Sequence, residues 1–204
     1  MDVMLDIETL GTGKDAAVVQ IGAVVFEPLG GGKIRNGAGE VFSCMVDAND
    51  ALARGATVTM STLRFWMNES QEARKRVFGP KNLDLSYGPS FEGQAFGSTY
   101  QALQWLHQWP QAALGMNWED FGGVWANGPT FDVSIMEGHY DRFGLPTPWH
   151  FSAPRDLCTL LKLPRVGGWP EKMDTTGFVK HHAPDDCVMQ IMALQYAMDR
   201  LSGR

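Results

Sequence analysis

The fold is decided by residues 2–26, which read DVMLDIETLGTGKDAAVVQIGAVVF. The first part, residues 2–7, is a short apolar run that predicts a strand. Residues 18–26 are β-branched and almost wholly apolar, which is typical of a central strand buried on both faces. A third run at residues 40–46 also predicts a strand, and the glycines at 30–32 predict a turn before it. Three strands with short glycine-rich links predict an antiparallel meander.

The rest of the chain alternates helical patterns with one further strand. Apolar residues at helical spacing, with start signals such as Asp156 and Pro184, predict helices over 61–78, 94–109, 131–143, a short segment after Asp156, and 184 to about 201. Residues 124–126 predict a strand, and the irregular stretches 80–93, 111–123 and 164–180 predict loops. The sequence therefore predicts one α/β domain over residues 1–204, with a sheet built mostly from its early part.

The composition is that of an ordinary globular protein, with 44% hydrophobic and 20% charged residues in a chain of 204. Its 17 Lys and Arg against 23 Asp and Glu give a net charge of −6. Taken alone, this acidic balance disfavours nucleic-acid binding, because phosphate binding usually requires a basic balance. No apolar run approaches the roughly 18–20 residues that span a bilayer. The N-terminus does not resemble a signal peptide, so we expect an intracellular protein.

Two carboxylates leave one face of the first predicted strand. Asp6 and Glu8 are separated by one residue, and residues i and i+2 of a strand point to the same face about 6.5 Å apart. Two like charges at this spacing are unfavourable without a counter-charge. A hard divalent cation such as Mg²⁺ or Mn²⁺ would supply one, since it prefers oxygen ligands. For this pair by itself, two solvated acids at a strand end are the alternative.

Two further segments place acids at predicted helix starts. Asp132 follows the strand at 124–126, where it is either a site residue or an N-cap. Residues 181–186 read His-His-Ala-Pro-Asp-Asp, so a histidine stands on the loop five residues before an aspartate of the first helical turn. This places an acid ligand on a rigid element and a base on a flexible one. A capped helix with exposed histidines is the alternative.

Together, the three motifs resemble those of the DEDDh 3′–5′ exonucleases. The motifs are Asp-Ile-Glu-Thr at 6–9, Asn-Gly-Pro-Thr-Phe-Asp at 127–132 and His-x-Ala-x-x-Asp at 181–186. That superfamily has a ribonuclease-H-like fold, so the resemblance implies a mixed central sheet flanked by helices. The opening stretch and the segments at 61–66 and 155–160 are similar to the ribonuclease AS-like and phage DexA-like branch.

The resemblance implies a metal site with a general base. Its metal ligands, for two divalent ions that are Mg²⁺ or Mn²⁺, would be Asp6, Glu8, Asp132 and Asp186. The general base would be His181. The family pattern has an alanine two residues after the histidine, so Ala183 selects His181 and Asp186 rather than their neighbours His182 and Asp185.

The substrate is expected to contact residues beside these motifs. Thr9, Leu10 and Gly11 follow the acid pair, so their backbone could approach the terminal nucleotide, and Leu10 could wedge against the last base. Trp66 either stacks on a base, since base–aromatic stacking tolerates any sequence, or is a core tryptophan. Asn127, in the second motif, completes the predicted substrate-binding set.

The predicted function is that of a metal-dependent 3′–5′ exonuclease that releases nucleoside 5′-monophosphates from single-stranded DNA or RNA by a two-metal mechanism. Two alternatives stay open: a catalytically silent nucleic-acid-binding module on the same fold, and an exoribonuclease restricted to short RNA or RNA 3′ tails. The expected partners are single-stranded 3′ ends, with no membrane; relatives suggest a homodimer. We expect a cytoplasmic location in a bacterial or phage-infected cell. The four proposed ligands are four of the 23 acids, so the rest of the chain has a net charge of −2. The acidic balance therefore no longer argues against nucleic acid.

Overall fold

The computed structural model describes residues 1–29, 40–78 and 95–203, in which three strands are followed by three helices and then by strands and helices in turn. The strands are β1 (Asp2–Thr9), β2 (Val18–Phe26), β3 (Val41–Asp47), β4 (Ala95–Ser98), β5 (Val124–Ala126) and β6 (Pro154–Asp156). The helices are α1 (Asn49–Ala53), α2 (Met60–Asn68), α3 (Gln71–Phe78), α4 (Thr99–Leu114), α5 (Asp132–Arg142), α6 (Leu157–Leu161) and α7 (Ala183–Ser202). A 3₁₀ turn covers Trp118–Asp120.

The strands form one mixed sheet in the order β4-β3-β2-β1-β5-β6. The first three strands of the chain are antiparallel neighbours, which confirms the predicted meander. β4 lies parallel to β3, β5 lies parallel to β1, and β6 lies parallel to β5. Parallel neighbours need crossover connections, and α5 lies in the connection from β5 to β6. The mixed sheet with flanking helices confirms the α/β fold expected from the sequence.

The alternation of side chains in β1 decides which face carries the acids. Val3 and Leu5 pack into the core beneath α4 and α5, whereas Met4 packs into the core beneath α6 and α7. Successive side chains of a strand point to opposite faces, so Asp6 and Glu8 share the face of Met4. The last helix of the chain therefore covers the face from which the acid pair projects.

The N-terminus of α7 sits directly on β2. A Cβ atom at Gly22 would lie 2.5 Å from the carbonyl carbon of Ala183 and 2.5 Å from the nitrogen of Pro184, so a glycine is required here. The fully buried Gln20 accepts a hydrogen bond from the Ala183 N–H at 2.9 Å and donates to the carbonyl of Arg76 at 3.3 Å. These contacts satisfy a free N–H group at the helix start and fix where the third motif enters the site.

The predicted helix over 61–78 is two helices in the structure. Glu69 ends α2, and its N–H bonds to carbonyls of the last turn. The Ser70 hydroxyl accepts from the Ala73 N–H at 3.1 Å and so begins α3. A side-chain cap in the middle of a helical pattern redirects the chain, which spacing of apolar residues alone does not reveal.

The prediction of a helix over 94–109 was wrong at both ends. Residues 95–98 pair with β3 as strand β4, and α4 begins after Ser98, whose side chain forms a capping box with Gln101. The helix also continues through Pro110 to Leu114, so the irregular stretch predicted from 111 begins later. A proline interrupts one backbone hydrogen bond but does not have to end a helix.

Other elements agree with the sequence more closely. The strand at 124–126 and the helices α5, α6 and α7 are confirmed, and the Asp156 side chain caps α6 by accepting from the Cys158 N–H. Strand β6 was not predicted. The predicted turn at 30–32 and loop at 80–93 lie outside the described residues. Within the described parts of the chain, no helix has the length and apolar character needed to cross a membrane.

Candidate active site

The three motifs converge on one cavity of about 460 Å³. Asp6 and Glu8 project from the end of β1, and Asp132 is the first residue of α5. His181 lies in the loop before α7, and Asp186 lies in the first turn of that helix. All five side chains line this cavity. The structure therefore brings together the residues that the sequence singled out from opposite ends of the chain.

Hydrogen bonds fix three of the four carboxylates. Asp132 accepts from a backbone N–H of β1 at 3.2 Å. Asp6 accepts from the side-chain amide of Gln190, one turn further along α7 than Asp186, at 2.7 Å. Asp186 accepts from the His181 backbone N–H at 2.9 Å. The carboxylates are held in place by the fold itself, which pre-organises them for a ligand.

His181 has an unusual backbone conformation. Its φ of 62° is the only positive φ of a non-glycine residue in the described ranges. This left-handed conformation is uncommon for a side chain with a Cβ atom, and such strain often accompanies functional sites. The imidazole lies between two acids, with Nδ1 3.9 Å from a Glu8 oxygen and Nε2 3.8 Å from a Glu69 oxygen. The edge of the ring also meets Phe65, with 5.0 Å between the ring centroids.

The electrostatics of the cavity disfavour four negative charges. Burial, reinforced by the charges of the other acids, raises the pKa of Asp6 well above its usual range and raises the pKa of Glu8 to about 9. Burial likewise raises the pKa of Asp132 to about 7 and the pKa of Asp186 to about 6. Among the described residues, no lysine or arginine forms an ion pair with these carboxylates. The charged cluster therefore needs a cation from outside the chain.

The donor set fits a hard divalent cation. One ligand atom each from Glu8, His181 and Asp186 can be chosen so that all three lie within 4.8 Å of one another. Asp6 and Asp132 add further carboxylate oxygens to the same cavity. Carboxylate oxygens are the ligands that Mg²⁺ and Mn²⁺ prefer, and a bound cation favours the charged form of buried acids.

Comparison with known proteins agrees with this geometry. Residues 1–198 match the family model described as 3'-5' exoribonuclease Rv2179c-like domain. The chain belongs to this exonuclease family. It is also 27% identical over 224 aligned residues to the protein named "Exodeoxyribonuclease" of Enterobacteria phage T4, and the match covers 99% of this chain and 91% of that relative. These matches confirm the predicted membership of the DEDDh exonucleases, which are nucleic-acid hydrolases with 3′–5′ polarity.

A second cavity of this exonuclease, of about 350 Å³, adjoins the first. It is lined by Thr9 and Gly11 and shares Glu8 and His181 with the cavity of the carboxylates. Asn127 lines the carboxylate cavity instead. Leu10 is partly buried against the small hydrophobic cluster that contains Trp66 and Val77, and it lines neither cavity. Its predicted wedge position therefore has no support in this geometry.

Trp66 is a packed residue with only 4% of its surface exposed. Its indole N–H donates to the Thr9 carbonyl at 2.9 Å, and its ring makes edge contacts with Phe65 and Phe78. Of the two interpretations that the sequence left open, the structure supports the core tryptophan. The indole anchors the backbone that follows the acid pair. Trp66 and its neighbour Phe65 both line the second cavity, but Phe65, 40% exposed, has far more ring surface available there.

Sequence reasoning missed several residues that the structure brings to this exonuclease site. Gln190 could have been found, because it follows Asp186 by four residues and thus lies on the same helical face. Glu69 contacts His181 only because the chain breaks between α2 and α3. Trp169 and Lys180 line the carboxylate cavity from the loop before α7, and nothing in the spacing of that loop indicates it.

Proposed function

We propose that this exonuclease removes nucleotides from single-stranded DNA or RNA by a two-metal mechanism. The proposed ligands of two Mg²⁺ or Mn²⁺ ions are Asp6, Glu8, Asp132 and Asp186. The observation that carries the proposal is the convergence of four buried or partly buried carboxylates whose pKa values are raised chiefly by burial. A cluster of this kind is stable in its charged form when divalent cations bind it.

Asp6, Glu8, Asp132 and Asp186 would hold the divalent cations, whose positive charge would make a bound water more acidic and would stabilise the leaving oxygen. We assign the proton transfer to His181. Burial lowers the pKa of this imidazole, so that it is neutral near neutral pH and can accept a proton from the attacking water. The water oxygen forms a bond to phosphorus while the bond to the 3′-oxygen of the preceding nucleotide breaks. The products are a nucleoside 5′-monophosphate and a chain with a new 3′-hydroxyl, which takes its proton from solvent.

We place the terminal nucleotide in the second cavity, which adjoins the carboxylates. Its walls combine the backbone of Thr9 and Gly11 with the partly exposed ring of Phe65. Because this cavity shares Glu8 and His181 with the carboxylate cavity, a nucleotide there would present its phosphate to the reacting groups. Asn127 would contact the nucleic acid from the carboxylate cavity.

The experiment that tests this proposal compares wild type, His181→Ala and a control, His150→Ala. His150 is an exposed histidine in the turn before β6, at the end of the sheet opposite the site. We expect His181→Ala to lose roughly 10²- to 10⁴-fold in turnover, as is typical when a general base is removed, and to keep the Mn²⁺ affinity measured by titration calorimetry. Full activity of His181→Ala would contradict the assignment.

The substrates are matched DNA and RNA oligonucleotides with free or blocked 3′ ends, assayed with Mn²⁺ or with a chelator. We expect release of nucleoside 5′-monophosphates only from free 3′ ends and only with metal. The comparison of DNA with RNA identifies the preferred sugar, and a series of lengths tests the restriction to short RNA. Binding without any release would favour the silent binding module. The single domain over residues 1–204, the homodimer and the cytoplasmic location stay predictions.

A further inference from the structure

A partly exposed tryptophan lines the carboxylate cavity. Trp169 is 45% exposed and lines this cavity together with Met173, Lys180 and Met189. Within the described ranges, its indole makes no hydrogen bond and no contact with another aromatic ring. Large aromatic side chains usually bury most of their surface in a core or an interface. A half-exposed indole at the mouth of the site is therefore available to a ligand.

The loop holds this tryptophan in a defined position. Val166 is buried in the core beneath α7 and anchors the loop. Gly167 and Gly168 have φ values of 80° and 104°, which turn the chain just before the indole. Their N–H groups donate to the carbonyls of Leu163 and Leu161 at 3.1 and 2.9 Å. An anchored and hydrogen-bonded turn presents Trp169 at a low entropic cost for binding.

The two cavities lie on either side of the reacting groups. Both are lined by Glu8, Phe131 and His181, whereas Phe65 belongs to one and Trp169 to the other. A phosphodiester at the shared residues therefore has room for one nucleotide in each cavity. The Trp169 side also carries Lys180, whose charge lies close enough to Asp186 and His181 to affect their pKa values. A cation beside the indole suits the backbone of a nucleic acid.

We propose that Trp169 is a stacking platform for the base of the penultimate nucleotide, the one that keeps the new 3′-hydroxyl after cleavage. This inference rests on the proposed function, because it takes the terminal nucleotide to lie in the second cavity, the one that Phe65 lines. The ring face of any base can stack on an indole, so the platform selects unpaired bases without selecting a sequence. It thereby gives the enzyme a preference for single strands at the second position from the end.

The test combines enzyme variants with abasic substrates. Trp169→Ala and the conservative Trp169→Phe are compared with wild type and with Phe151→Ala, which removes an 84% exposed aromatic ring from the opposite end of the sheet. The substrates are single-stranded oligonucleotides of the preferred sugar, with a full set of bases, with an abasic penultimate nucleotide, or with an abasic nucleotide four positions from the end. The first cleavage is timed to give kcat and KM, and binding is measured by fluorescence anisotropy in Ca²⁺.

We expect Trp169→Ala to raise KM and the dissociation constant for the full substrate by roughly 5- to 150-fold, the range of one base–aromatic stack. kcat should change much less, and Trp169→Phe and Phe151→Ala should stay close to wild type. The affinity of wild type should fall by the same factor on the substrate with the abasic penultimate nucleotide. The affinity of Trp169→Ala should be the same for this substrate as for the full one.

Two results would contradict the stacking role of Trp169. One is unchanged binding by Trp169→Ala; the other is an equal loss of affinity from Trp169→Ala on the full substrate and on the substrate with the abasic penultimate nucleotide. Failure of the proposed function is distinguishable, because wild type would then release no nucleotide from any substrate. The anisotropy measurement still decides whether Trp169 and the penultimate base interact in that case.

Discussion

The carboxylates of the site and the side chains that hold them differ in how well the sequence predicts them. Asp6, Glu8, Asp132, Asp186 and His181 could be predicted because short motifs fix their spacing and their order along the chain. The supporting contacts could not be predicted in the same way, since they depend on tertiary placement. The indole of Trp66 shows the difference: a motif includes this residue, but only the structure shows that the indole is almost wholly buried and donates to the Thr9 carbonyl.

The Gln190 side chain provides a test at this scale. Its amide donates to Asp6 at 2.7 Å, and its oxygen is buried without a hydrogen-bond partner in the described structure. We expect Gln190→Met to weaken Mn²⁺ binding by about 10- to 100-fold, as is typical when a group that orients a metal ligand is lost. Gln195→Met is the matched control, because that buried glutamine lies on the same helix and donates to Glu27 instead. Equal affinities of the two variants in titration calorimetry would refute the positioning role.

The sequence predicts a strand or helix correctly where the element's own residues, and not its tertiary contacts, determine its conformation. The apolar run of β2 and the periodicity of α7 are strong signals, and both elements lie where the sequence predicts them. Residues 95–98 instead become a strand because β3 offers them a partner, and propensity gives way to tertiary pairing. The break between α2 and α3 likewise depends on the Ser70 cap. This break brings Glu69 to His181.

The contact between β2 and α7 gives a prediction about these elements. Gly22→Ala would place a Cβ atom 2.5 Å from backbone atoms of Ala183 and Pro184, which cannot rotate away. We expect a loss of about 1–3 kcal/mol in the free energy of unfolding from overpacking, measured by urea denaturation, together with weaker Mn²⁺ binding because the third motif shifts. Gly13→Ala is the control, since a Cβ atom there meets nothing within 4 Å. A Gly22→Ala variant as stable as this control would show that α7 can move at no cost.

The charge of the whole molecule is linked to its metal site. Two divalent cations would reduce the formal charge from −6 to −2, so the metal-loaded enzyme repels a polyanion less than the chain alone does. The order of the mixed sheet explains why the acids are so close, because β1 lies between β2 and β5. β5 leads into the second motif, and β2 packs against the N-terminus of α7, which carries the third motif. The sequence suggested this arrangement only through the family resemblance, because strand order depends on long-range pairing.

The raised carboxyl pKa values predict how metal and pH together control stability. The pKa is raised in the folded protein to about 6 for Asp186, about 7 for Asp132 and about 9 for Glu8. Unfolded carboxyls titrate near pH 4, so without metal the folded state binds more protons than the unfolded state between about pH 4 and pH 9. The stability from these groups is fully present below that window and is lost as the pH rises through it. A divalent cation that binds only the folded state reverses this loss.

We therefore expect Mg²⁺ to raise the melting temperature of chelator-treated protein more at about pH 8 than at about pH 5, as measured by thermal unfolding. The doubly substituted Asp132→Asn, Asp186→Asn protein should show a smaller Mg²⁺ effect, and an equal shift at both pH values would exclude these carboxylates as the metal ligands.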